Sequence, residues 1–234
     1  DKKTILRSVA WTASNCDVDI ADRLSDALMA IGKNGEIVVE DGQSTKIETE
    51  FREGMVLNRG PTSRYQLVRD SRTLEGALVA IIPKVLSSFE DVQSILEEAT
   101  QFPKNPLLII ADAIEGEALA AIVQNDMKLF LKDNHKLEVV AISKIGTHLH
   151  RRGYMEDVAA LAGARLVDEV WNHKKFKPEW FGSVRKAVLT RQETVLTAYP
   201  DKKPSIDERV ARLQLEANAT LSDYDREKLQ ERIG

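Results

Sequence analysis

From residue 77 onward the sequence alternates short apolar runs with amphipathic segments, a pattern that few folds accept. The apolar runs predict buried strands over 77–82, 107–110, 137–142 and 164–168. Helices are predicted between them, over 88–101, 115–130 and 153–162. Strand and helix in alternation require crossover connections around a buried, largely parallel sheet. The expected fold class is α/β, a β-sheet core flanked by helices. Residues 184–189 and 193–198 add a β pair, and 53–76 reads as short β-rich pieces. Upstream, Ile20, Leu24, Leu28 and Ile31 draw one stripe along a helix over 19–31 that Gly32 ends. Residues 36–40 and 46–51 read as two strands around the turn Asp41-Gly42. Gly54 follows this ribbon and is a hinge candidate, since glycine absorbs large φ/ψ changes at little cost. At the C-terminal end, Ser205-Ile-Asp-Glu208 has the form of a capping box ahead of Val210, Leu213 and Ala217. Ser222 and Asp223 then cap a second helix carrying Tyr224, Leu229 and Ile233.

Composition narrows the function classes. The 234 residues carry 33 Lys+Arg against 37 Asp+Glu, a formal charge of −4, and lack the basic excess with which a nucleic-acid binder neutralises phosphates. A chain of this length buries about 70% of its unfolded surface and needs no metal or disulfide staple. Cys16 is the only cysteine, which excludes an intrachain disulfide and fits a reducing compartment. The longest apolar stretch, 77–83, is far short of the about 20 residues that a spanning helix needs. The opening Asp-Lys-Lys-Thr leads into no signal-type block and suggests a piece of something longer. The expected location is cytoplasmic, away from membranes.

Catalytic signatures are missing. Neither a G-x-x-x-x-G-K-[ST] nor a G-x-G-x-x-G loop occurs, and Asp41-Gly42-Gln43-Ser44-Thr45 reads as a hairpin turn rather than a phosphate loop. His148 and His150 have no acidic residue or third histidine nearby in sequence, so no metal site is expected. Arg151 and Arg152 read as helix-capping or solvated side chains. Lys174, Lys175 and Lys177 among Trp171, Phe176 and Trp180 read as a solvated edge over buried aromatics. No Ser or Cys stands at a recognisable spacing from a His, which leaves nucleophilic catalysis without support.

The anomaly is surplus apolar surface on two neighbouring helices. At about 100° per residue, Ala118, Ile122 and Leu129 fall within about 40° of one another. Leu119, Val123, Met127 and Phe130 form a second stripe about 120° away, with Asp126 between. A helix covering one sheet needs only one stripe. On the preceding helix Phe89, Val92, Ile95 and Ala99 satisfy the sheet, while Leu96 sits at the edge beside Gln93 and Glu97. Parallel helices in consecutive crossovers would line a groove with apolar rims, which suits an extended or amphipathic polypeptide.

The same residues carry a resemblance. Leu107-Leu-Ile-Ile-Ala111 followed by Glu115-Gly-Glu-Ala-Leu-Ala120 closely resembles the PLLIIAEDVEGEALA segment of GroEL-type (group I) chaperonins. Ser222-Asp-Tyr-Asp-Arg-Glu-Lys-Leu-Gln-Glu-Arg232 matches a further family segment without a gap. Glu53-Gly-Met55 with Arg59-Gly60 and Tyr65, and 31–35 through 39–42, resemble two more, in family order over nearly the whole chain. The resemblance implies that 1–52 is part of an intermediate domain and 53–234 a polypeptide-binding apical domain. It implies further that the equatorial domain and the segment supplying the ATP-hydrolysing aspartate lie outside this chain. No enzymatic activity, ATP or Mg²⁺ is then expected here, only in the full-length ring protein. The expected partners are non-native polypeptides, a co-chaperonin and ring subunits of the same chain, with this stretch alone mainly monomeric. The polypeptide-binding set falls on Tyr65, Val92, Gln93, Leu96, Leu119, Val123 and Gln124. Departures from the family stand at Pro61, Gln66, Gln93 and Gln124, three of them amides in place of apolar contacts. At about 1.5–3 kcal/mol for each large apolar side chain buried, such changes would weaken or retune binding. The loop 144–152 lacks the family's Gly-Phe-Gly-Asp pattern, and 128–136 is longer than usual. These features mark a divergent member, phage-encoded or from an atypical bacterium.

Two rival classes use the same pattern. In an α/β enzyme domain the second stripe is ordinary core, and a hydrophobic dye such as ANS would not bind the native state. In an oligomerisation scaffold the apparent size rises with concentration.

Overall fold

A six-stranded mixed sheet forms the centre of the computed structural model, in the order β1-β6-β5-β2-β3-β4. The structure describes residues 2–31, 37, 47–49, 51, 53–128, 137–167, 171 and 175–233. The strands are β1 (Met55–Leu57), β2 (Ser71–Leu86), β3 (Leu107–Ile114), β4 (Val139–Ser143), β5 (Gly182–Thr190) and β6 (Thr194–Thr197). β2, β3 and β4 run parallel, whereas β5, β6 and β1 add antiparallel strands on the other side of β2. Helices α3 (Phe89–Ala99) and α4 (Gly116–Lys128) make the β2–β3 and β3–β4 crossovers, and α5 (Arg151–Ala162) follows β4.

Alternation along the strands divides the core into two layers. Leu78, Ala80 and Ile82 of β2, Leu107 and Ile109 of β3, and Val139 and Ala141 of β4 meet α3 and α4. Their neighbours Val79, Ile81, Leu108, Ile110, Val140 and Ile142 face the layer that contains Met155, Val158 and Leu161 of α5. Burial on both faces is why these strands read as continuous apolar runs. The 164–168 run does not form a strand. Only Leu166 bridges to Ile81, with the Val167 N–H donating to the Ile81 carbonyl at 3.1 Å. Residues 168–170 lie outside the described residues.

Contacts divide the chain into two units, 53–210 and 1–52 with 211–234. The sheet and both core layers belong to the first. The expected apical segment ran to 234, whereas 211–234 groups with the N-terminal residues. In that second unit α1 (Lys2–Ala13), for which the sequence reading made no prediction, packs on α2 (Val18–Ile31). Ala10, Ala21, Ser25 and Ala27 are buried there, while the predicted stripe of Ile20, Leu24, Leu28 and Ile31 is half-buried. The predicted strand 36–40 and the Asp41-Gly42 turn lie outside the described residues, and 47–49 take no regular form.

The C-terminal helices are α6 (Lys203–Ala219) and α7 (Asp223–Ile233). Ser205 is inside α6 rather than at its cap, because a 3₁₀ turn at Pro200–Lys202 starts the helix earlier. The Ser205 hydroxyl donates instead to the Ala160 and Lys202 carbonyls. Ser222 caps α7 as expected, its Oγ accepting from the Asp225 N–H. Gly54 adopts φ +127°, and a Cβ there would lie 2.3 Å from the Leu196 carbonyl oxygen. Close approach to β6 thus requires glycine at this position.

Candidate functional site

α3 and α4 pack side by side on one face of the sheet, and a 3₁₀ turn at Arg64–Gln66 packs against α4. Ser88 starts α3 with a reciprocal cap: its hydroxyl accepts from the Asp91 N–H, and the Asp91 carboxylate accepts from the Ser88 N–H at 2.8 Å. Gly116 starts α4 at φ +57°, where a side chain would meet the Ser87 carbonyl at 2.9 Å. These devices fix the N-terminal ends of both helices next to one another.

The two stripes of α4 separate in the structure. Ala118 and Ile122 are fully buried on the sheet, while Leu119 and Val123 are half-buried and Met127 is 49% exposed. Leu119 leans on the core; Val123 and Met127 lie further out. Leu129 and Phe130, the last members of each stripe, lie outside the described residues, as do 129–136 of the long connection. Asp126, between the stripes, is 1% exposed and held by Arg72 of β2. The Arg72 guanidinium donates to both Asp126 carboxylate oxygens at 2.5 and 2.7 Å, to Glu138 and to the Gln66 carbonyl. Burial works against this cation. The hydrogen bonds and charge of Asp126, then those of Glu138, outweigh it, and the Arg72 pKa is raised above the ordinary arginine value. The pair ties α4 to the sheet, a connection the helical wheel does not reveal.

The positions expected to bind polypeptide do not all reach the surface. Tyr65 stands 65% exposed on the 3₁₀ turn, and Gln93 and Gln124 are exposed on α3 and α4. Val92 is fully buried and Leu96 nearly so, both in the core layer under α3. As a direct contact Val92 is therefore corrected to core, and Leu96 offers no rim as the helices stand. Phe89, expected to face the sheet, is 46% exposed at the first position of α3. Gln93 donates to Glu97 at 2.7 Å along the same face.

Gln66 is also corrected. Its side chain is completely buried, with Nε2 donating to the Val139 carbonyl at 3.1 Å and Oε1 accepting from the Ala141 N–H at 3.4 Å. The Thr62 N–H donates to the Ala141 carbonyl and Arg59 Nε to the Ser143 carbonyl. Residues 59–66 thereby cover the otherwise open edge of β4, as exposed strand edges require.

Over 233 residues the chain is 32% identical to chaperonin GroEL 1 of Synechococcus sp. (strain CC9605), a match covering 97% of this chain. The chain belongs to the GroEL-type chaperonins. It spans 40% of the length of that relative. No family model matches it. Within this GroEL-type chain the basic and aromatic cluster is structural: Trp171, Phe176 and Trp180 are buried edge-to-face, and Lys177 lies 5.5 Å from the Trp180 ring centre. Arg151 pairs with Asp112, and Arg152 with Glu156. Among the described residues no three of His, Cys, Asp and Glu come together as a metal site, and no helix is long and apolar enough to cross a membrane.

Proposed function

We propose that this stretch captures non-native polypeptides as the client-facing part of a ring chaperonin. The observation that carries the reading is α4, which buries Ala118 and Ile122 while leaving Leu119, Val123 and Met127 half-open beside exposed Tyr65 and Phe89. Apolar side chains at such a rim gain free energy by burying apolar surface of any unfolded chain, with no need to read its sequence. The exposed amides Gln93 and Gln124 make this rim wetter than the family pattern, which favours reversible over tight capture.

The remaining parts of the cycle belong to the whole protein in this reading. ATP and Mg²⁺ act on segments outside this chain, whose own residues include no phosphate-cradling loop. Subunits of the same chain form the cytoplasmic ring, and a co-chaperonin competes with clients for the α3–α4 face. Rotation about a hinge near Gly54 withdraws that face and releases the client.

Aggregation suppression tests the proposal. Val123→Ser and Leu119→Glu should each reduce the protection of a denatured client from aggregation by at least about fivefold, the loss expected when about 1 kcal/mol of apolar contact is removed. Val123→Ser should leave the circular dichroism spectrum unchanged. Full protection by both variants would refute capture at this face.

A further inference from the structure

We infer that the client face of this chain selects acidic segments, through an arginine-lined trough beside Tyr65 that binds peptide carboxylates. The inference rests on the capture reading above and names the clients it favours.

The trough has a volume of about 510 Å³ and is lined by Pro61, Arg64, Tyr65, Leu67, Arg69 and Arg191. Among the described lining residues, three are arginines and three present apolar surface. The Arg64 guanidinium lies 5.6 Å from the Tyr65 ring centre, which holds the cation over the side chain expected to touch clients. Arg191 pairs with Asp70 at 2.7 Å, but both side chains are more than 70% exposed, so an incoming carboxylate can exchange with Asp70 at little cost. Among the described residues neither Arg64 nor Arg69 has an ion-pair partner. A second cavity of about 530 Å³ shares Pro61 and Arg191 and adds Arg59 and Lys144 against Glu115. Among the described residues five cations therefore line the two cavities against one acid, Glu115, with Asp70 beside Arg191, in a chain whose formal charge is −4. Composition gives no hint of this local reversal of sign.

Guanidinium groups present paired donors that match a carboxylate, and around an apolar floor they suit a segment carrying both Glu or Asp and aliphatic or aromatic side chains. Charge complementarity of this kind mainly sets which partner is accepted and how fast it arrives. Lysine-rich segments of equal hydrophobicity meet repulsion at the same place.

The test uses labelled peptides of one apolar pattern whose polar positions are all Glu, all Gln or all Lys, titrated by fluorescence anisotropy. The Glu peptide should bind about tenfold more tightly than the Lys peptide in about 50 mM NaCl, and the ratio should fall towards one in about 500 mM NaCl. Replacing Arg64→Gln together with Arg69→Asn should bring the Glu peptide down to the affinity of the Gln peptide. Asparagine is chosen because Arg69 adopts φ +64°, a region that Asn tolerates. Equal binding of the Glu and Lys peptides at low salt would overturn the inference, as would an arginine variant that weakens all three peptides alike. Displacement of the Glu peptide by a single-stranded oligoribonucleotide of higher affinity would overturn it too, by making the trough a nucleic-acid site. The two proposals fail differently. Binding of the Gln peptide that is lost in Val123→Ser, without any charge preference, refutes the acidic selection alone. Binding of no peptide refutes both.

Discussion

The Gln66 side-chain amide donates to the Val139 carbonyl and accepts from the Ala141 N–H, so it occupies the place of a neighbouring strand's peptide group. An apolar side chain fills the same volume but leaves both backbone groups buried without partners. Each such group costs about 1–3 kcal/mol. Gln66→Leu should therefore lower stability by about 2 kcal/mol or more in urea unfolding. A loss below about 0.5 kcal/mol, the usual range for a neutral surface change, would show that the bracket is unimportant. The resemblance to the family marks Gln66 as a lost apolar contact because it compares residue types. The real partners are 73 and 75 residues away and leave no trace in local pattern. Asp126 follows the same logic. Its position between two stripes was legible, while the arginine that explains it lies 54 residues upstream on β2.

At the scale of elements, periodicity placed α3, α4 and α5, since each buries a face against the sheet and so carries a stripe. It gave no sign of α1, whose residues are mostly exposed apart from Ala10 and whose Ile5, Val9 and Trp11 follow no buried face. It overextended 164–168, where an apolar run meets β2 through a single bridge rather than a ladder. The finer question of which side of α3 is accessible was beyond periodicity, because Leu96 lies near the edge of the stripe and only packing decides. The structure puts it 7% exposed in the core layer. Leu96→Ala should accordingly cost about 2–5 kcal/mol of stability, the range for emptying a packed site. Client protection per folded molecule should stay unchanged, measured at a temperature where the variant remains native. If Leu96→Ala kept full stability and lost protection, Leu96 would be a rim residue and α3 would have to rotate on the sheet to expose it.

For the whole molecule the decisive fact is where the apolar core lies. All six strands and both core layers fall within 53–210, whereas the buried described residues of the other unit are few and mostly small: Ala10, Ala21, Ser25, Ala27, Leu213 and Ala217. A unit that owns its core folds as a cooperative unit of its own. The residues of the proposed capture face and of the proposed arginine trough lie wholly inside it. A chain running from 53 to 219, which keeps α6 entire, should therefore be folded and should protect denatured clients as well as the full 234 residues do. Its main calorimetric transition should fall within about 3 °C of the corresponding transition of the longer chain, a shift equivalent to about 1 kcal/mol for a domain of this size. ANS fluorescence should persist in the native state of both, because the exposed rim of α4 is common to them. A shortened chain that aggregated or melted without a cooperative transition would mean that the removed residues, 1–52 or 220–234, are needed for the sheet domain to fold. One that folded but no longer protected clients would move the binding surface out of the sheet domain and overturn its assignment to α3 and α4.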